Sequence, residues 1–189
     1  MEAVMNQQQK RMHPHKFTLW VAIASILMMF AGLTSAFIVK SNLTGWRNIV
    51  MPDFFWFSTA TILASSLTMQ MALRSFRQRA MDQYRWLIGL TFVLGVTFIV
   101  LQWFGFKSLW DQNIKFNGSA GAGQFLYVIF GLHALHVVGG VIALLVIFLK
   151  AFFGKIKLYS SVPVEVAATY WHFVDILWVC LLVFFLAIG

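Results

Sequence analysis

The sequence has few charged residues. Only 11% of its 189 residues are Asp, Glu, Lys or Arg, whereas an ordinary soluble domain carries about 25%. Hydrophobic residues make up 60% of the chain, and they occur in long uninterrupted runs. This composition leaves almost nothing for a soluble domain, and it indicates an integral membrane protein.

Cysteine is nearly absent as well. Cys180 is the single cysteine, so a disulfide within the chain is excluded. It lies inside the last apolar run, where cysteine ordinarily acts as a small buried hydrophobic side chain. The sequence also lacks internal repeats and low-complexity tracts, which argues for one domain.

Five apolar runs are long enough for transmembrane helices, because about 20 residues are needed to cross the hydrocarbon core. They cover residues 17–39, 53–73, 84–106, 121–149 and 167–188. A polar tail, residues 1–16, precedes them, and no small-residue cleavage site follows the first run, which we interpret as a retained anchor. We therefore predict an all-α membrane protein with a single five-helix transmembrane domain, residues 17–189.

Lysine and arginine are distributed unequally between the two sides of the membrane. The tail and the second and fourth loops would share one side, and they carry ten of the 14 Lys and Arg residues. The positive-inside rule then predicts a cytoplasmic N-terminus and a C-terminus outside. Because the cations of this +8 chain sit in short clusters between apolar runs, we interpret them as topology signals and anionic-lipid contacts, not as a nucleic-acid surface.

The last apolar run contains two ionisable residues at membrane depth. A carboxylate there costs about 2.5–3.5 kcal/mol unless another group pairs with it. His172 and Asp175 are three residues apart, so they lie on the same side of a helix. Lipid cannot satisfy them, and the rest of the chain is expected to cover this side.

The fourth run contains two further ionisable residues, His133 and His136. The loop that follows is short, so helices four and five are predicted to be neighbours, with His136 and Asp175 about 7 Å apart in depth. We predict one polar cluster, or two linked ones, closed on the cytoplasmic side by Glu165 and Tyr170. Its members are His133, His136, Glu165, Tyr170, His172 and Asp175.

Three roles are open to such a cluster. Metal or haem ligation needs convergent ligands, but His133 and His172, the pair that could flank a haem, lie about 15 Å apart in depth. A proton relay is typical of intramembrane His and Asp residues. We favour the third role, which is structural: the groups satisfy one another, or they bind a phospholipid headgroup. We predict no catalytic residue, metal ligand or bound cofactor in this chain.

Small hydroxyl side chains form a stripe along helix two. Small residues let helices approach closely in a membrane, where van der Waals packing drives association. We interpret the stripe as a helix-packing seam, with a polar transport path as the alternative. Gln102 in helix three is predicted to bond to a neighbouring helix. The seam consists of Ser58, Thr61, Ser65 and Thr68.

Two C-terminal motifs resemble a known family. YWHFVD at residues 170–175, followed by Trp178, resembles the motif that closes subunit III of haem-copper cytochrome c oxidases. LHALHV at residues 132–137 resembles the paired-histidine motif of the preceding helix in that family. The resemblance runs from residue 17 to residue 189. Other matching positions are Glu165, Gly139, Gly140, residues 65–68 and residues 101–102.

The resemblance is to a five-helix form of a family that often has seven helices. It implies a non-catalytic subunit of a proton-pumping respiratory terminal oxidase, which reduces oxygen with electrons from cytochrome c or quinol. The implied role is to support assembly, lipid binding and proton uptake, with haem and copper in partner subunits. The implied partners are the catalytic subunit I, other oxidase subunits, membrane phospholipids and a larger respiratory supercomplex. The implied location is the bacterial cytoplasmic (inner) membrane.

Two positions depart from the family pattern. The family commonly carries buried glutamates where this sequence has Ile26 and Gly105, so roles proposed for those acids do not transfer. The alternative function, from another class, is a free-standing small transporter or proton channel built on the buried His and Asp residues. Co-purification with a haem-containing partner distinguishes the two.

Overall fold

The computed structural model describes residues 14–41, 54–111, 122–153 and 161–188, and its regular structure there is entirely helical. The predicted all-helical protein with five helices is confirmed. Each helix extends beyond the predicted bounds at one end at least, because polar turns continue the helices past their apolar runs. Of the predicted polar tail, residues 14–16 are helical and the remainder lies outside the described residues. The helices are α1 (Pro14–Ser41), α2 (Phe54–Arg77), α3 (Met81–Asp111), α4 (Ala122–Phe153) and α5 (Val162–Ile188).

Four helices, α1, α3, α4 and α5, are long and apolar enough to cross a membrane. The chain is therefore an integral membrane protein. Helix α2 is not among the four, because serine and threonine side chains replace apolar ones along much of its length.

Helix α5 lies at the centre of the bundle and packs against α1, α2 and α4. Helix α3 packs between α2 and α4, and α1 packs against α4 and α5. The predicted contact between α4 and α5 is present. The α2–α3 contact is the most extensive, since a tight turn with Arg79 in the left-handed region (φ 60°) joins these helices.

Aromatic side chains fill the centre of the bundle. The indole of Trp178 is fully buried, and four rings surround it at centroid distances of 5.2–5.8 Å. These rings belong to Phe55, Phe98, Phe130 and His133. Since the four rings come from α2, α3 and α4, the indole joins α5 to three helices at one point.

Two glycines make room for the second buried indole, that of Trp171. A Cβ atom added at Gly140 would lie 3.0 Å from Cε3 of Trp171, and one added at Gly95 would lie 2.9 Å from Cη2. Gly95 is on α3 and Gly140 is on α4, so the indole is enclosed by the backbones of two helices. A Cβ atom at either position would therefore crowd the indole ring.

Substituting either glycine by alanine is therefore expected to destabilise the protein. We expect Gly140→Ala and Gly95→Ala each to lower the free energy of unfolding by about 1–2 kcal/mol, because overpacking outweighs the gain in helix propensity. Gly131→Ala is the matched control, since its Cβ would meet no atom within 4 Å. Circular dichroism of the detergent-solubilised protein during unfolding measures the difference; equal stability of all three variants would contradict the enclosure of Trp171.

Candidate functional site: polar groups inside the bundle

The interface of α5 with α2 contains His172 and Asp175. Ser66 Oγ lies 2.6 Å from His172 Nδ1 and joins the two helices. Asp175 is 1% exposed, and Ser66 also lies close to its carboxyl group. The two carboxyl oxygens of Asp175 have no hydrogen-bond partner among the described residues. The second ring nitrogen of His172, Nε2, has none among them either.

The histidines of α4 lie on another side of α5. The Tyr170 hydroxyl donates to the His136 carbonyl at 3.0 Å, and His136 Nδ1 lies 2.6 Å from the carbonyl of Leu132. His133 is 1% exposed and stacks on Trp178 with 5.2 Å between ring centroids. Its ring nitrogens find no hydrogen-bond partner in the part of the chain that the structure describes.

Glu165 occupies a third place, at the end of the bundle where α5 begins. Its carboxylate pairs with Lys16 on α1 at 2.7 Å and with Arg77 on α2 at 3.3 Å. One acidic side chain thus holds three helices together at this end, which we call the Glu165 end.

Removing the charge of Glu165 is expected to have a modest effect that depends on salt. All three partners are partly exposed, with 20–61% of each side chain accessible, so Glu165→Gln should cost about 1 kcal/mol at low ionic strength. Unfolding at low and at high salt measures this, and the difference from wild type should shrink at high salt. Asp82→Asn is the control, because the 99% exposed Asp82 pairs only at 4.0 Å, with Arg85 of its own helix, and joins no two helices. A salt-independent loss would contradict the ion-pair origin.

The predicted seam of α2 provides hydrogen bonds as well as close packing. Ser58 accepts from Gln102 Nε2 at 3.2 Å, which is the interhelical bond expected of that glutamine. Ser65 accepts from the Trp171 indole at 3.0 Å. Thr68 and Thr91 on α3 share a 2.9 Å bond. Thr61 differs from the other three, since it bonds to the backbone of its own helix.

The six residues of the predicted polar cluster thus lie in three separate groups. The reason is that α5 has neighbours on three sides: His172 faces α2, Tyr170 faces α4, and Glu165 faces the gap between α1 and α2. His172 and Asp175 do stay together, as their three-residue spacing predicts. Spacing along one helix cannot show which neighbouring helix each side chain meets.

Several hydrogen-bond and ion-pair partners of the α5 side chains are not predicted from the sequence. Thr59 accepts from the Trp178 indole at 3.0 Å, and Ser66 joins His172, yet both lie beside the predicted stripe. The interpretation of the cations as topology signals and anionic-lipid contacts does not predict that Lys16 and Arg77 pair with Glu165. One sequence feature could indicate these ion pairs. Glu165 is an acidic residue in the first turn of its helix, at the end of the bundle where the predicted topology places most of the lysines and arginines.

The ionisable side chains of the interior are spread out. Within the described ranges, no group of three or more His, Cys, Asp and Glu side chains comes together. His133 contacts the α4 side of α5, and His172 contacts the α2 side. Several polar side chains of the interior bond to another helix, whereas His133 and Asp175 have no hydrogen-bond partner among the described residues.

The glycine that departs from the family pattern has a clear packing role. A Cβ atom at Gly105 would lie 3.2 Å from the ring of Phe55, which is fully buried. A glutamate side chain would need the space that this ring occupies. The other departure, Ile26, packs against the hydrophobic core.

These features define a class: an integral membrane protein whose buried polar side chains serve contacts between helices. A family model described as cytochrome c oxidase subunit III matches residues 13–189. The chain belongs to the cytochrome c oxidase subunit III family.

Similar proteins include cytochrome c oxidase subunits and a quinol oxidase subunit. The chain is 26% identical to cytochrome c oxidase subunit 3 of Bacillus sp. (strain PS3), over 85% of this chain and 79% of that one. It is 31% identical to a probable cytochrome c oxidase subunit 3 of Mycobacterium tuberculosis, over 85% and 81%. It is 26% identical to cytochrome bo(3) ubiquinol oxidase subunit 3 of Pseudomonas aeruginosa, over 87% and 80%.

Family membership makes the chain a non-catalytic subunit of a respiratory terminal oxidase, a complex of several subunits. The free-standing transporter or channel is not favoured by these relationships. Membrane location follows independently from the four apolar helices.

Proposed function

We propose that this chain is the subunit that stabilises the catalytic subunit I of a proton-pumping oxidase in a bacterial cytoplasmic (inner) membrane. It would support assembly, retain phospholipids and sustain proton uptake, while the complex, alone or within a larger respiratory supercomplex, reduces oxygen. The observation that carries this proposal is the family match across residues 13–189.

We propose further that α2 is a fifth membrane crossing. Several of its hydroxyl side chains face α3 and α5 and bond there, so they add no polarity to the outer surface. Apart from Gln70, the large outward side chains of α2 between Phe54 and Met71 are apolar and cover about 25 Å of helix. They are Phe54, Trp56, Phe57, Leu63, Leu67 and Met71. Five crossings and the excess of cations in the tail, the second loop and the fourth loop support a cytoplasmic N-terminus.

Redox chemistry is assigned to the partner subunits in this proposal. The described residues do not offer a convergent ligand set for haem or copper, and His133 and His172 lie on different sides of α5. This chain would carry no redox centre, and haem and copper would be held by subunit I and its neighbours. Its own contribution would be structural, because aromatic packing around the buried Trp178 ties α5 to α2, α3 and α4.

Purification tests the proposal directly. The affinity-tagged chain, extracted in mild detergent, is expected to bring down haem-containing subunits, seen as a Soret band and as partner polypeptides in defined stoichiometry. Separated from them, the chain should show no Soret band. A chain that purifies alone and conducts protons in liposomes would contradict the proposal.

A further inference from the structure

A groove runs along the outside of α5, between α1 and α2. Both helices pack against α5, but over their described residues α1 and α2 do not pack against each other. Glu165 marks the direction of the groove, since it reaches Lys16 on one wall and Arg77 on the other. The groove is therefore bridged by ion pairs at the Glu165 end.

The floor of the groove is the face of α5 that continues from Glu165. Ile176 and Val183 follow at helical spacing on this face, and they are 63% and 58% exposed. Cys180, between them, is exposed too. From Ile176 onward the floor is apolar, whereas Thr169 and His172 lie on the same face between Glu165 and Ile176.

The α2 wall of the groove is polar at membrane depth. Gln70 lies one turn from Ser66 and two turns from Arg77 on the same helical face, about 10 Å along α2 from the Glu165 end. Its side chain is exposed and makes no hydrogen bond with any residue in the described segments. On α5, next to Ser66, the buried Nε2 atom of His172 also has no hydrogen-bond partner among the described residues.

Charge at the Glu165 end is unbalanced. Lys16, Arg77 and the neighbouring exposed Arg74 are three cations around one carboxylate, Glu165. An occupant of the groove should therefore carry an acidic group at this end. It should also offer a hydrogen-bonding group about two helical turns deeper, opposite Gln70.

We propose that this groove receives a transmembrane helix of another oxidase subunit, with an acidic residue near the Glu165 end and an uncharged hydrogen-bonding side chain facing Gln70. The proposal rests on the proposed function, because it needs a multi-subunit complex. A phospholipid could place its phosphate near the cations, but its acyl chains offer nothing to an amide about 10 Å deeper. Polar side chains at this depth are typical contacts between membrane helices.

Photo-crosslinking in the assembled complex identifies the occupant. Ile176 is replaced by p-benzoylphenylalanine, the cells are irradiated, and the purified oxidase is analysed by mass spectrometry. The expected product is an adduct with a transmembrane segment of another oxidase subunit. The same photoreactive residue at Ile142, which is 56% exposed on α4, is the control. A phospholipid adduct alone, no adduct, or equal protein adducts at both positions would overturn the proposal.

A polar-to-apolar substitution gives an independent test. Gln70→Leu is expected to speed loss of this subunit from the complex in detergent by about three- to tenfold, since interhelical hydrogen bonds in membranes are of that strength. Thr97→Val is the matched control, because exposed Thr97 already bonds to the Val93 carbonyl at 2.9 Å and needs no partner. Unchanged retention of the Gln70→Leu subunit would contradict the docked helix. The Soret band of the same preparation reports separately on the proposed function.

Discussion

Trp178→Ala is expected to lower the free energy of unfolding by about 3–5 kcal/mol, the cost of removing a large aromatic side chain from a well-packed core. Trp178 is completely buried, and its ring contacts join α5 to α2, α3 and α4. The cavity would open where the three contacts meet. No single neighbouring helix could close it.

The experiment separates packing from hydrogen bonding. Trp178→Phe keeps much of the ring but leaves Thr59 without its indole donor, so we expect a smaller loss of about 1 kcal/mol. Trp103→Ala is the control, because Trp103 is 72% exposed. Unfolding of the three variants in mixed micelles, followed by circular dichroism, gives the ranking. A loss for Trp178→Ala no greater than that of the control would show that the aromatic centre does not hold the bundle together.

The number of helices and the inward side of the last helix could be predicted from the sequence. Long apolar runs have one outcome in a membrane, since helices alone satisfy their own backbone there. Likewise, the pairing of His172 with Asp175 on one side follows from their spacing. These predictions depend on local geometry, which a single helix determines by itself.

The partners of those residues depend on how the helices are arranged around α5. Glu165 is separated from Lys16 by 149 residues and from Arg77 by 88, and no periodicity in the sequence relates them. Within the predicted seam, Ser58 bonds to Gln102 on α3 and Ser65 bonds to Trp171 on α5. Ser66 is displaced by one residue from the seam, and it meets His172 on α5. A hydroxyl stripe therefore predicts packing, but not which helix each hydroxyl serves.

In helix α2, average hydropathy does not show how polar side chains are distributed around the helix. Its serines and threonines lower the average hydropathy below that of the other four helices. However, the same residues accept bonds from Gln102, Trp171 and Trp178 within the bundle. Much of the polarity of the helix is therefore directed inward, and Gln70 is the exposed polar side chain between Phe54 and Met71.

Asp175→Asn is expected to raise, not lower, the free energy of unfolding of the isolated subunit, by about 2–3 kcal/mol. Asp175 is 1% exposed, and its carboxylate oxygens have no hydrogen-bond partner within the described ranges. Ser66 lies close to the carboxyl group, and the same hydroxyl lies 2.6 Å from His172 Nδ1. Asparagine has the same shape and carries no charge, so the substitution removes a desolvation cost without opening a cavity.

Two comparisons make this result decisive. Asp82→Asn, at a 99% exposed side chain, should leave stability unchanged in the same unfolding assay. A double-mutant cycle with Ser66→Ala should show coupling between the two positions, because contacting residues are not additive. If Asp175→Asn instead destabilises the isolated subunit, the carboxylate accepts hydrogen bonds or holds a cation in the folded protein, and the interface of α2 with α5 is then a satisfied polar site whose charge contributes to folding.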